Sequence, residues 1–307
     1  MFQLTAERLA RLCAINHFPV PDDGMVFFGL RGCLPADPDD HAFAAERRLI
    51  PTPVDYTTPR CTLGQWLPAE GRIAVYPGST VPHRRYVQSA LERGGEGANQ
   101  LLSGFYPDYR KGQHKAGSPG AHDAFRQTRG RPVRRSGDDL DFEPDDRVEI
   151  ENAYDNLHAA WCMGIEHAYY ASAGCQVVVG YPCCAGRNGQ PDSGPWAHFR
   201  AAAYSLEQDT FPYVLLSARA AESLAAAGDD APRSARLRYG SKGALVRTLQ
   251  EALAERGHFH GNIDGDFGPL TLEAVLAFQT AAFGPDADDG IVGPVTAAAL
   301  DIDWPNV

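Results

Sequence analysis

Short apolar runs broken by Gly, Pro and Asp organise roughly the first two-thirds of the chain, and helical spacing takes over beyond residue 236. Leu9, Leu12 and Cys13 share one face of a helix predicted over Ala6 to Ala14, with Thr5 as its N-cap. Met25 to Gly32 reads as a strand. Cys61–Leu67 and Arg72–Tyr76 read as the arms of a hairpin that turns at Pro68–Gly71. Arg147–Glu151 alternates as a strand does, and the β-branched run Val177–Val179, ending at Gly180-Tyr181-Pro182, reads as a buried strand. Trp196 to Ser205 is predicted helical, and Phe211–Leu216 is the closing strand. Residues 34–60, 136–146 and 180–195 are rich in Pro, Asp or Gly and read as loops.

Composition then shifts. Residues 218–235 are rich in Ala, Asp, Arg and Pro, and their tail reads as a linker. Beyond it, Leu245, Leu249 and Leu253 recur at i, i+4 and i+8 on one helix, and Leu272, Val275, Leu276 and Gln279 mark a second. Two matching turns, Asp264-Gly265-Asp266-Phe267-Gly268 and Asp289-Gly290-Ile291-Val292-Gly293, precede Thr271 and Thr296 and form an internal pseudo-repeat. Residues 237–301 resemble the three-helix peptidoglycan-binding domain. That likeness implies peptidoglycan as a partner and a small core able to fold alone. The expected organisation is a catalytic domain over 1–218, a linker over 219–235 and a peptidoglycan-binding domain over 236–307.

The length of 307 residues suits two domains. A net charge of −11 disfavours nucleic acid, because phosphate binding needs a basic face. The basic cluster Arg126 to Arg135 is followed by Asp138, Asp139, Asp141, Asp145 and Asp146, and reads as charge exchange between surface loops. Seven cysteines with no Cys-x-x-Cys pair argue against a disulfide framework and for buried thiols. No run approaches ~20 apolar residues, so no membrane span is expected. The N-terminus lacks the basic start and apolar core of a signal peptide.

The candidate chemistry centres on Ala171-Ser172-Ala173-Gly174-Cys175-Gln176, where a small-residue turn presents one cysteine at the mouth of a strand. A thiolate is the reactive form of such a residue, and an imidazole can generate it. His158 lies upstream in Asp155-Asn156-Leu157-His158, and Asp155, Asn156 or a backbone carbonyl could orient its ring. His167 is the competing base. The arrangement of His158, Ser172, Gly174 and Cys175 resembles the L,D-transpeptidase (YkuD-type) catalytic domain, with Ala159 where that family has glycine and Ala173 where it usually has histidine.

The resemblance implies an α+β chain, with a β-rich mixed sandwich ahead of the helical domain. It implies that Cys175 attacks a stem-peptide amide, that His158 is the base, and that Ser172 supports the turn. The N–H groups of Gly174 and Cys175 would form an oxyanion hole. No cofactor and no metal are expected. His114, His122, Tyr170 and Gln176 are expected along the substrate groove, and the thiol is expected to titrate low beside an imidazolium. A zinc peptidase built on His114, His122 and Asp123 is the alternative enzyme, and a wall-binding protein with an inert Cys175 is the alternative without catalysis. A wall enzyme made without a signal peptide would reach peptidoglycan as an exported toxin or a lysis protein does.

Overall fold

Unbroken apolar runs become strands in this protein because both of their faces are covered. The computed structural model describes residues 1–94, 97–136, 142, 146–229 and 231–307. Its N-terminal elements are β1 (Phe2–Thr5), α1 (Ala6–Ile15), β2 (Val26–Arg31), β3 (Cys33–Pro35), β4 (Glu46–Pro51), β5 (Cys61–Leu67), β6 (Arg72–Ser79) and α2 (Arg84–Arg93). There follow β7 (Ala98–Leu101), β8 (Gly104–His114), β9 (His122–Arg126), β10 (Arg131–Ser136), β11 (Arg147–Glu151), β12 (Leu157–Ala159) and β13 (Gln176–Val178). The chain continues with α3 (Pro195–Tyr204), β14 (Thr210–Ser217), α4 (Ala218–Ala227), α5 (Ala244–Glu255), α6 (Pro269–Phe283) and α7 (Pro294–Ala299).

Among the described residues, eight strands close into a barrel in the order β12-β13-β6-β5-β2-β14-β8-β9. This corrects the expected sandwich. β14 bonds β2 in parallel on one side and β8 antiparallel on the other, and Leu157 of β12 pairs with Phe125 of β9, so the sheet has no free edge. Side chains alternate across the wall. Phe27, Tyr76, Phe211, Tyr213 and Leu215 belong to the interior cluster, while Val26, Phe28, Val75, Val214 and Leu216 pack outward with α1 and α4. Phe27 sits among aromatic rings, 4.5 Å from Phe211, 4.7 Å from Phe125 and 5.0 Å from Phe199 between centroids.

Several local expectations hold. Thr5 Oγ1 accepts from the Arg8 N–H at the start of α1, and β5 and β6 pair over the whole hairpin from Cys61 opposite Gly78 to Leu67 opposite Arg72. Others change. Residues 34–60, read as loop, hold β4, which pairs with β1 and β3. The basic cluster is a strand rather than a loop. Arg131 and Arg135 are buried in β10 and paired with Asp108 and with Glu149 and Glu151 respectively. Of the acidic residues behind it, Asp138, Asp139, Asp141 and Asp145 lie outside the described residues.

The stretch 219–235, read as a linker, begins as α4, which Ser217 caps and whose Ala218, Ala221 and Leu224 are buried against α1. The chain then runs between α1 and the barrel. Arg236 N–H donates to Ile15 O (2.8 Å), Ser241 Oγ to Asn16 O (2.6 Å), Lys242 N–H to His17 O (2.8 Å) and Phe105 N–H to Tyr239 O (3.0 Å). The helical domain therefore shares one apolar cluster with the barrel.

Within that domain the pseudo-repeat is a pair of equivalent hydrogen-bond knots. Gln250 Nε2 donates to Asp264 Oδ1, Asp266 O and Thr271 Oγ1, and its Oε1 accepts from Gly265 N–H. Gln279 does the same with Asp289, Ile291, Thr296 and Gly290. Both glutamines are buried, so truncating either strands partners without water. Gln250→Ala and Gln279→Ala are each expected to cost about 1–3 kcal/mol. Because the domain shares its core with the barrel, calorimetry of either variant should show one transition at a lower midpoint. A separate early transition for the helical domain would contradict the shared core.

Candidate active site

β12 and β13 run parallel, with His158 opposite Val177, and Cys175 stands one residue before β13. This register places the histidine beside the cysteine. One ligand-capable atom each of His114, His158 and Cys175 lies within 4.8 Å of the others. His158 is 1% exposed and Cys175 9% exposed. Cys175 Sγ makes a long hydrogen bond to Tyr154 O, at 3.6 Å.

The turn is built as its residue types require. Ser172 Oγ donates to Cys175 O (2.7 Å) and accepts from Gly174 N–H (3.2 Å). Gly174 has φ +147°, and a Cβ there would stand 2.1 Å from Asn99 Nδ2 and 2.5 Å from Asp155 Oδ1. No side chain fits at that position. The Gly174 N–H, expected as an oxyanion donor, is engaged by Ser172.

Hydrogen bonds to groups of fixed polarity assign the imidazole tautomers. His158 Nδ1 lies 2.8 Å from Ala159 O, which can only accept, so Nδ1 carries the proton. His158 Nε2 then carries the lone pair, and it is buried with no partner. His122 Nδ1–H donates to Gly120 O (2.7 Å), leaving its Nε2 facing His158 Nδ1 at 3.4 Å. The group that orients His158 is thus the carbonyl of the next residue, with His122 behind it.

Burial sets the charges. His158 is held well below its ordinary pKa by desolvation and then by the neighbouring His114 and His122. His114 is lowered to about 4 and His122 is also lowered, both first by burial. Burial and then the nearby Asp155 push the Cys175 thiol up. Asp155, 2% exposed, is raised to about 7 by burial, against a hydrogen bond from Asn99. The expected thiolate–imidazolium pair is corrected: the resting site is a neutral thiol beside neutral imidazoles.

The other sequence candidates separate. His114 and His122 face each other across the β8–β9 hairpin and join the cluster. Asp123, the third member of the alternative zinc set, points away and pairs with Arg200. Adjacent strand residues face opposite sides, so His122 and Asp123 cannot share a site. Tyr170 and Gln176, expected to face substrate, are buried. Tyr170 Oη donates to Pro82 O, while Gln176 braces the turn between Gly174 O and Tyr213 Oη. His167 is exposed and outside the cluster. Of the groups proposed to orient His158, the backbone carbonyl is the one that does so, as Ala159 O, whereas nothing in the local sequence marks Asn99 or Gln127.

The arrangement sets a buried thiol beside a buried imidazole of fixed tautomer, two groups whose chemistry can include nucleophilic attack. Residues 242–300 match the PG_binding_1 peptidoglycan-binding domain family, so the chain carries a peptidoglycan-binding domain at its C-terminal end. No curated protein and no solved structure matches the chain. Among the described residues, no helix is long and apolar enough to cross a membrane.

The buried groups give stability a definite pH dependence. The unfolded chain takes up protons at three imidazoles below about pH 6.5, and the folded site refuses them. Stability should therefore fall as pH drops from about 6.5 towards 4, where His114 itself titrates. Asp155 acts with the opposite sign. Its folded carboxyl holds a proton up to about 7, whereas the unfolded one releases it near ~3.9, so ionising it costs stability as pH rises between those values. Asp155→Asn should raise the thermal midpoint at pH 8 relative to wild type and lose that advantage near pH 4.5. Midpoints that track wild type at every pH would contradict a buried, neutral Asp155.

Proposed function

We propose that this chain is a peptidoglycan-modifying enzyme that opens a stem-peptide amide through a Cys175 acyl-enzyme. Water would resolve the intermediate as in an L,D-carboxypeptidase, or an amine as in an L,D-transpeptidase. One observation carries the reading. His158 Nε2 is buried and unpartnered, in a tautomer that can only accept a proton, on a ring with one nitrogen within 4.8 Å of Cys175 Sγ, in a chain that carries a peptidoglycan-binding domain.

With both groups neutral, proton transfer accompanies attack. Cys175 Sγ bonds to the carbonyl carbon as its proton passes to His158 Nε2, and the C=O electron pair moves onto oxygen. The Ala159 carbonyl and His122 Nε2 stabilise the positive charge gathering on the His158 ring. Collapse re-forms C=O and breaks the C–N bond, and His158 returns the proton to the leaving amine. Water or an acceptor amine then loses its proton to His158, attacks the thioester and frees the thiol. The enzyme would act at the wall.

Cys175→Ala should lower muropeptide turnover by at least about 10³-fold, while sacculi still pellet the protein through residues 242–300. Turnover should survive chelation and be lost on alkylation. Mass spectra of muropeptides that show equal turnover by wild type and Cys175→Ala would overturn the nucleophile. Sacculus binding with no turnover by wild type would leave a binding protein in which Cys175 is inert.

A further inference from the structure

Resting on that reading, we infer that His114 is a second catalytic histidine, the hydrogen-bond donor to the oxyanion formed when Cys175 attacks. Gln127 N–H, which can only donate, points at Asn156 Oδ1 (3.0 Å). The other end of that amide, Nδ2, therefore faces His114 Nδ1 at 2.9 Å, and Nδ2 can also only donate. His114 Nδ1 must hold a lone pair. The ring is neutral near pH 7, because burial lowers it to about 4, so its proton sits on Nε2. Among the described residues that Nε2–H has no hydrogen-bond partner, and His114 is only half-buried where His158 is fully buried.

His114 lies flat on His158, with ring centroids 4.0 Å apart and planes 15° apart, and both rings stand beside Cys175. The two have opposite tautomers. His158 presents a bare Nε2 and takes a proton, whereas His114 presents Nε2–H and offers a hydrogen bond. The turn offers one donor fewer than the expected pair, since Ser172 Oγ occupies the Gly174 N–H. During attack the thiol proton goes to His158 Nε2, and the carbonyl electron pair becomes an oxyanion that His114 Nε2–H meets. His114 keeps its proton throughout.

The same three side chains also form a triangle of two nitrogens and a sulfur that would suit zinc. Ligation through His114 Nε2 would move its proton to Nδ1, against Asn156 Nδ2, which cannot accept it. Turning Asn156 over would set Nδ2 against Gln127 N–H. At Nε2, hydrogen-bond directions thus favour the donor over the ligand, and at Nδ1 a metal would have to displace Asn156 Nδ2.

The test combines three readouts on wild type, His114→Ala and His114→Gln, with circular dichroism to confirm folding. Nitrogen-15 shifts of the wild-type imidazoles should show His114 protonated at Nε2. On a defined muropeptide, His114→Ala should lose about 100-fold in kcat with little change in KM, and His114→Gln, whose amide can donate, should recover part of the loss. Iodoacetamide alkylation of Cys175 forms no oxyanion and should stay within about twofold of wild type. An Nδ1–H tautomer, undiminished turnover in His114→Ala, or alkylation that falls in step with turnover would each overturn the inference. So would stoichiometric Zn²⁺ binding by wild type that is lost in His114→Ala. Absence of turnover in wild type overturns the underlying reading and this inference with it. Wild-type turnover alongside an unaffected His114→Ala overturns the inference alone.

Discussion

The buried amide of Asn156 joins three parts of the chain that carry the site. Its carbonyl accepts from Gln176 N–H (3.0 Å), which locks β12 to β13. Its side-chain oxygen accepts from Gln127 N–H just past β9, and its nitrogen donates to His114 at the end of β8. The positions of His158, His114 and Cys175 thus depend on one residue whose two ends are chemically different. A buried polar network of this kind is stable only when every member is satisfied, and its directions are then set as well as its distances.

That network sits in a region that excludes charge. Burial lowers the histidines and raises the Cys175 thiol, so thiol and imidazoles rest neutral near pH 7, while Asp155 is raised to about 7. A preformed ion pair would need solvation that this environment does not supply. On the proposed reading, the site's chemistry would be proton transfer coupled to bond formation, assisted by groups already oriented by the fold. Gly174 shows how tightly the frame is drawn, because Asn99 and Asp155 occupy the space a side chain would take.

The peptidoglycan-binding domain is part of the same frame. Its first residues bond the end of α1 and the start of β8, and its helices share a cluster with the barrel interior. A flexible tether would let the barrel sample many orientations at the wall. A shared core instead gives the barrel a fixed pose relative to the surface that the domain holds.

Local features were legible in the sequence: the Thr5 cap, the β5–β6 hairpin, the Ser-x-Gly-Cys turn and the twin Asp-Gly turns of the helical domain. Each depends on residues a few positions apart, where residue type and spacing act directly. The pairing of His158 with Cys175 was also readable, because the two strands involved are neighbours in the chain. Barrel closure was not, since it joins β14 to β2 and β8 across long separations that no local pattern encodes. Nor were the burial of Tyr170, the turning away of Asp123, the neutrality of the site or the tautomer of His114. Those follow from which groups share a dry interior and which lone pair faces which proton, and only the folded chain decides that.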